Sequence, residues 1–252
     1  MKRHPSHLLH DLEPLVRTLW PIFLFWSAVT AALWWTGEAW IGRIDNPGLR
    51  AAVSFIFRSA DAVWLLVAAL NLYLELAQRE GIARARVVSL VVFSVAGAVA
   101  WASVATGYPL GSVVYTTQLG ARLGVVPLGW PLLWFVIVLG ARALITHLRP
   151  RMGHAGISFT AGFIALLTDF NLEPLATKFR LYWFWYVPGT TSPAPPPWTN
   201  YATWFLVAVA LAWFARERQI ASTRFGSTRA ASIIVITNAV LLTGHLRGLL
   251  GH

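Results

Sequence analysis

Long apolar runs without a single charge dominate this chain, and short polar stretches separate them. Residues 18–37, 87–121, 123–141, 181–215 and 230–246 contain no Asp, Glu, Lys or Arg. A helix needs roughly 20 apolar residues to cross a bilayer, so runs of this length read as spans. The 87–121 run is too long for one span, and Gly107-Tyr108-Pro109 ends its helix. The 181–215 run is split by Pro188-Gly189 and by S-P-A-P-P-P at 192–197. The pattern predicts seven helices, at about 18–36, 53–76, 87–105, 129–146, 156–173, 200–215 and 230–246. The expected fold class is all-α, a polytopic integral membrane bundle. It forms a single transmembrane domain over 1–252, with a polar cytoplasmic arm at 1–17 and a proline-rich surface connector at 187–199.

Composition strengthens this reading. The chain is 57% hydrophobic and only 12% charged, where a soluble domain carries about 25% charged residues. A net charge of +10 suits cationic loops against anionic lipid headgroups, so membrane lipid is an expected partner. No compact basic stripe or nucleic-acid motif accompanies that charge, which argues against nucleic acid. The absence of cysteine excludes disulfides, thiolate metal sites and a cysteine nucleophile. The first apolar run follows Lys2, Arg3 and Arg17 as a signal peptide would. Its length and its tryptophans (Trp20, Trp26, Trp34, Trp35) make it the first span instead.

Of the 20 Lys and Arg residues, twelve fall on the amino-terminal side, six on the opposite side, and Arg58 and Arg142 lie inside spans. That asymmetry predicts a multi-pass protein of the cell membrane with a cytoplasmic amino terminus. With seven spans, the 107–127 and 169–200 loops open on one face, so their motifs can build one site.

The candidate chemistry is concentrated at 169–186. Asp169 and Glu173 stand one helical turn apart at the end of an apolar run, and Tyr182-Trp183-Phe184-Trp185-Tyr186 follows. Two carboxylates sharing one face of a helix in an apolar setting compete for their charge, and one can keep a proton to donate. Such an acid suits protonation of an unactivated alkene. Two bland alternatives remain: Lys178 and Arg180 capping the carboxylates as interfacial ion pairs, and Pro174 ending the helical spacing before Glu173 counts. The aromatic run, with Trp198, Tyr201 and Trp204 beyond it, can line a polyene groove and stabilise a carbocation. It can equally be the aromatic belt of the membrane interface. Asp61 is a third candidate carboxylate, three residues from Arg58 and read as its ion-pair partner, with Asn71 and Glu75 as a second polar pair. His4, His7 and His10 belong to a solvated arm.

Absences narrow the reactions. No histidine pair has metal-ligand spacing within a span, so no metal site is expected. The only lysines are Lys2 and Lys178, which excludes a retinal Schiff base in the last span. Neither D-D-x-x-D nor G-x-G-x-x-G occurs, so diphosphate, flavin and nicotinamide chemistry are not expected and no cofactor is assigned.

Three segments, taken in order, resemble the membrane-bound carotenoid biosynthesis family of carotenoid 1,2-hydratase type, which includes γ-carotene and bisanhydrobacterioruberin hydratases. The first is T-G-Y-P-L-G-S-V-V-Y-T-T-Q-L-G at 106–120 with G-V-V-P-L at 124–128. The second is Asp169-Phe170-Asn171-Leu172-Glu173-Pro174, similar to D-x-x-x-D-P with Glu for the second Asp. The third is Trp183-x-Trp185, then Pro197-Trp198-Thr199-Asn200-Tyr201 and Trp204. The resemblance spans about 106–213. It departs where the family has an acidic residue before T-G-x-P, because this chain has Ala100-Trp101-Ala102-Ser103 there.

The resemblance implies a cofactor-free lyase, a hydratase of a terminal isoprenoid double bond in an acyclic carotenoid. Asp169, Glu173 and Asp61 are its candidate catalytic carboxylates. Tyr115, Tyr182, Trp183, Trp185, Trp198, Asn200, Tyr201 and Trp204 are its candidate substrate-binding residues. The same site would serve an isomerase or cyclase-like step, or a non-enzymatic carotenoid-binding module. The expected partners are lipid, a carotenoid or isoprenoid substrate, and other carotenoid enzymes.

Overall fold

The computed structural model describes the backbone of residues 5–216 and 227–250, and the side chains of 12–216 and 227–247. Seven helices carry the described chain: α1 Pro5–Thr36, α2 Pro47–Glu80, α3 Ile82–Thr106, α4 Gly129–Leu148, α5 His154–Pro174, α6 Trp198–Phe214 and α7 Thr228–Leu250. Four short strands lie in the loops: β1 Val113–Tyr115, β2 Arg122–Leu123, β3 Val126–Pro127 and β4 Trp183–Trp185. Six helices are long and apolar enough to cross a membrane. The remaining one, α6, has 17 residues, at the short end of the roughly 17–25 that a spanning helix uses. The protein is a multi-pass membrane helix bundle.

The helices outrun the apolar runs, because capping and not hydropathy sets their ends. α1 already begins at Pro5, so most of the expected polar arm continues the first helix. The side chains of Lys2, Arg3, His4, His7, His10, Arg218, Arg224 and His252 lie outside the described residues. α2 starts well ahead of its apolar run because Asn46 Oδ1 accepts a hydrogen bond from the Leu49 N–H at 3.0 Å. Pro47 fills the first turn, where a missing N–H costs nothing. α3 stops at Gly107, whose φ of 74° lies in the left-handed region that ends helices and disfavours side chains.

α4 is the central helix. Sixteen of its twenty residues are buried, and it packs against α2, α3, α5, α6 and α7. A helix that is apolar all round belongs in such an interior position. α5 and α6 form the closest pair, helped by the fully buried small residues Ala161, Ala165, Ala208 and Ala212. Outward-facing Leu90, Phe163, Leu167 and Leu206 present the apolar exterior that a bilayer requires.

Candidate active site

The two motif-rich loops meet as a strand pair. β1 and β4 are antiparallel, with Val113 opposite Trp185 and Tyr115 opposite Trp183. Because side chains alternate along a strand, these four residues share the inner, buried face. The turn before β1 is fixed at both ends. Ser103 Oγ accepts from the Leu110 N–H at 3.0 Å, while the Thr203 and Thr199 hydroxyls of α6 donate to Pro109 and Leu110 carbonyls at 3.1 and 3.3 Å. Gly111 makes the closest approach: a Cβ there would lie 2.4 Å from Pro197 Cγ and 3.3 Å from the Trp185 ring. The T-G-Y-P-L-G segment therefore fits only with its second glycine intact.

Beneath this roof sits the carboxylate pair. Asp169 is fully buried and Glu173 is 5% exposed, both on the inner face of α5. Pro174 does not end the spacing. The chain continues as a π-turn over Leu175–Phe179, with the Thr177 hydroxyl donating to Glu173 O at 2.7 Å. A π-turn absorbs a proline because its wider winding relieves the clash that proline makes one turn earlier. Asn200 Nδ2, from α6, donates to Asp169 Oδ2 at 2.8 Å and to Glu173 Oε1 at 3.3 Å. The Trp185 indole N–H donates to Glu173 Oε2 at 3.0 Å. Asp169 Oδ1 has no hydrogen-bond partner.

Among the described residues no Lys, Arg or His side chain pairs with either carboxylate. The expected caps do not form: Lys178 is exposed, and Arg180 turns instead to Asp61.

Rings enclose the pair. Tyr115 lies 5.3 Å from Trp130 and 6.2 Å from Trp183, Trp130 lies 5.5 Å from Trp183 and 5.6 Å from Trp204, and Trp204 stacks on Trp134 at 4.6 Å. Among the described residues the Tyr115 hydroxyl and the indole N–H groups of Trp134 and Trp204 find no hydrogen-bond partner, and the Trp183 N–H lies close to Glu173 without a bond of normal geometry. Burial, and then the charges of Glu173 and Asp169, hold the Tyr115 phenol well above its ordinary range. It is therefore a neutral O–H facing the carboxylates. This arrangement is a dry, ring-lined wall with a few polar atoms turned inward, the composition of a site for an apolar molecule.

Of the residues singled out from sequence, the fold brings Asp169, Glu173, Tyr115, Trp183, Trp185, Asn200 and Trp204 together. Tyr201 is half-buried at the edge, stacked on Phe170 at 4.7 Å. Trp198 is 77% exposed and stands apart, as an interfacial aromatic would. Asp61 and Tyr182 belong to a separate buried cluster, joined by a hydrogen bond from the tyrosine hydroxyl. The expected Arg58–Asp61 pair is absent: Arg58 is exposed and the partner of Asp61 is Arg180. Asn71 and Glu75 do not pair either, since Asn71 bonds the Leu19 and Val67 carbonyls and Glu75 bonds Arg79. Trp130 and Trp134 escaped notice, although G-W-P-L-L-W at 129–134 places them one turn apart just after Val126–Pro127. Among the described residues no three His, Asp or Glu side chains converge as a metal site needs.

Fold and site together define a class: a multi-pass membrane protein with a buried, cation-free carboxylate pair beneath an aromatic roof. Residues 60–249 match the family described as carotenoid biosynthesis protein, and the chain belongs to that family. It is also 35% identical over 124 residues to the bisanhydrobacterioruberin hydratase of Haloarcula japonica, covering 46% of this chain. The matched stretch spans 40% of that relative's length. No solved structure matches. The family match begins in α2 and so extends well beyond the three motifs read from sequence.

Proposed function

We propose that the protein is a carotenoid hydratase, adding water across a terminal isoprenoid double bond of an acyclic carotenoid end group to give the tertiary alcohol. The observation that carries this reading is the Asp169–Asn200–Glu173 unit, two buried carboxylates bridged by one amide and with no cationic side chain paired to them among the described residues. Two adjacent charges in a dry site are costly to bury, so the pair is suited to holding one proton between them. One carboxylic acid and one carboxylate then sit side by side, a general acid beside a general base.

Asp169, with an unpaired Oδ1, is the proton donor. The alkene π pair takes that proton at the less substituted carbon, forming a C–H bond and leaving a tertiary cation at its neighbour. Trp183 and Trp185, with Tyr115 and Trp204, face the cation, which ring quadrupoles stabilise by roughly 2 kcal/mol or more per good contact when desolvated. Water adds to the cation through oxygen, and its surplus proton goes to Glu173. The N–H groups of Trp185 and Asn200 steady Glu173 before that transfer. Proton exchange within the pair restores the starting state, so the net change is one water added. Regiochemistry follows from the greater stability of the tertiary cation. Tyr201 flanks the polyene where it leaves the buried wall.

The family membership, and the likeness to a curated hydratase over part of its length, support this reading. The Lys and Arg asymmetry supports a cytoplasmic amino terminus, which puts the site at the outer face. The test is expression in a bacterium that makes acyclic carotenoids, followed by mass analysis of its pigments. The wild-type protein should yield a product heavier by one water, and Asp169→Asn should abolish it while remaining folded in the membrane. A product of unchanged mass would assign isomerisation, and unchanged hydration by Asp169→Asn would remove Asp169 from the mechanism.

A further inference from the structure

Asp61 is buried in α2, where it lines a small apolar cavity with Trp34, Trp64, Leu172 and Tyr182, and both of its carboxylate oxygens are held by side chains. Oδ1 accepts from the Trp34 indole N–H at 2.9 Å. Oδ2 accepts from Arg180 Nε at 2.8 Å and from the Tyr182 hydroxyl, and Arg180 Nη2 stands 2.6 Å away. The guanidinium also lies 4.7 Å over the Phe57 ring and donates to Phe57 O at 3.2 Å. Both oxygens of the Asp61 carboxylate are therefore already engaged by these side chains. Its importance lies in what it holds.

Arg180 ends the π-turn that prolongs α5 past Glu173, with its N–H bonded to Leu175 O at 2.7 Å. It is as buried as Glu173, each being 5% exposed. Next comes Leu181 at φ 53°, a left-handed conformation that a leucine adopts only when its surroundings enforce it. That residue turns the chain from the π-turn into β4 and brings Arg180 and Tyr182 onto the same carboxylate. Thr116 secures the turn, its hydroxyl donating to Leu181 O at 2.6 Å and its N–H to Tyr182 O at 2.8 Å.

We infer that Asp61 is a positioning residue that keeps Arg180 away from Asp169 and Glu173, so that the acid pair stays without a counter-ion. The same bonds pin the start of β4, which carries Trp183 and Trp185. Without Asp61 the buried guanidinium keeps only a looser contact to the exposed Glu38, at 3.7 Å, and the buried carboxylates left to it are those of the acid pair on the helix it ends. Charge attraction is strong in a dry interior. A carboxylate neutralised by arginine has no proton to give. This role rests on the proposed hydratase reading for its effect on turnover, but not for its effect on the acid pair.

The test compares Asp61→Asn, Arg180→Gln and the double variant in native membranes. Conversion of an acyclic carotenoid is one readout. The other is labelling with dicyclohexylcarbodiimide, an apolar reagent that couples to protonated buried carboxyl groups, located by peptide mass spectrometry. Wild type should label at Asp169 or Glu173. Asp61→Asn should lose that label and about tenfold or more of its turnover, the usual scale for removing a supporting partner. The double variant, with no cation to release, should regain labelling and recover to within about threefold of wild type. If Asp61→Asn fails to accumulate, Arg180→Gln alone decides, since it should keep the label. Wild-type labelling in Asp61→Asn, a double variant no better than the single, or loss of label in Arg180→Gln would each overturn the inference. A wild type that forms no hydrated product yet shows the labelling pattern removes the hydratase reading and leaves the role of Asp61 standing.

Discussion

Trp185 and Trp183 are a matched pair of indoles whose N–H groups differ in one respect. The Trp185 N–H donates to Glu173 Oε2 at 3.0 Å, whereas the buried Trp183 N–H lies close to the same carboxylate without a hydrogen bond of normal geometry. Replacing either by phenylalanine keeps a ring on the same strand face and deletes the N–H. For Trp185→Phe the loss is a hydrogen bond to a carboxylate, worth about 1.5–3 kcal/mol. If Glu173 accepts the surplus proton of the attacking water, that bond tunes the base. At 1.36 kcal/mol per tenfold, turnover should then fall by about tenfold to a hundredfold. Trp183→Phe loses the same part of the indole but only a loose N–H contact to Glu173, so its turnover should fall clearly less than that of Trp185→Phe. The assay is the initial rate of hydrated pigment formation in membranes from matched expression, read by chromatography and mass. Equal losses in the two variants, or no loss in Trp185→Phe, would refute the argument, because the well-formed bond to Glu173 is what separates them.

Two further outcomes follow from packing and hydrogen bonding. Asn200→Leu keeps volume but removes the donor shared by Asp169 and Glu173. It should cost about 2–6 kcal/mol, at roughly 1–3 for each of the two stranded carboxylates, and abolish turnover. A lowered melting midpoint in detergent, together with the pigment assay, checks both. Gly111→Ala adds a Cβ 2.4 Å from Pro197 at a φ of 127°, where side chains are strained. It should lower stability by about 1–3 kcal/mol, and a melting midpoint equal to wild type would show that the turn can give way.

Much of the fold was legible because lipid imposes a strict rule on the chain. A continuously apolar, charge-free run of about 20 residues suits a spanning helix, whose backbone satisfies itself, and not the alternating strands of a barrel. The seven helices follow from that, and their parity puts the 107–127 and 169–200 loops on one face. Their direct pairing as β1 and β4 was not legible, because strands of three residues carry no periodic signal. The acid pair could be found from spacing alone. Its company could not. Asp61 has Arg58 one turn away in sequence, yet it pairs with Arg180 across the bundle, and only a folded chain reveals such a partner. The tryptophans divided in a way that composition cannot express: Trp198 is exposed at the start of α6 while Trp183, Trp185 and Trp204 are buried. Trp130 and Trp134 passed as ordinary span residues because a helix buried on every side has no face to distinguish.

The clasp between β1 and β4 has a genetic corollary. A chain severed in the short 149–153 link would leave Tyr115 and the ring-bearing α4 on one fragment, and Asp169, Glu173 and Asn200 on the other. Each fragment expressed alone should be inert, and co-expression in one membrane should restore pigment conversion only to the extent that the halves knit together again.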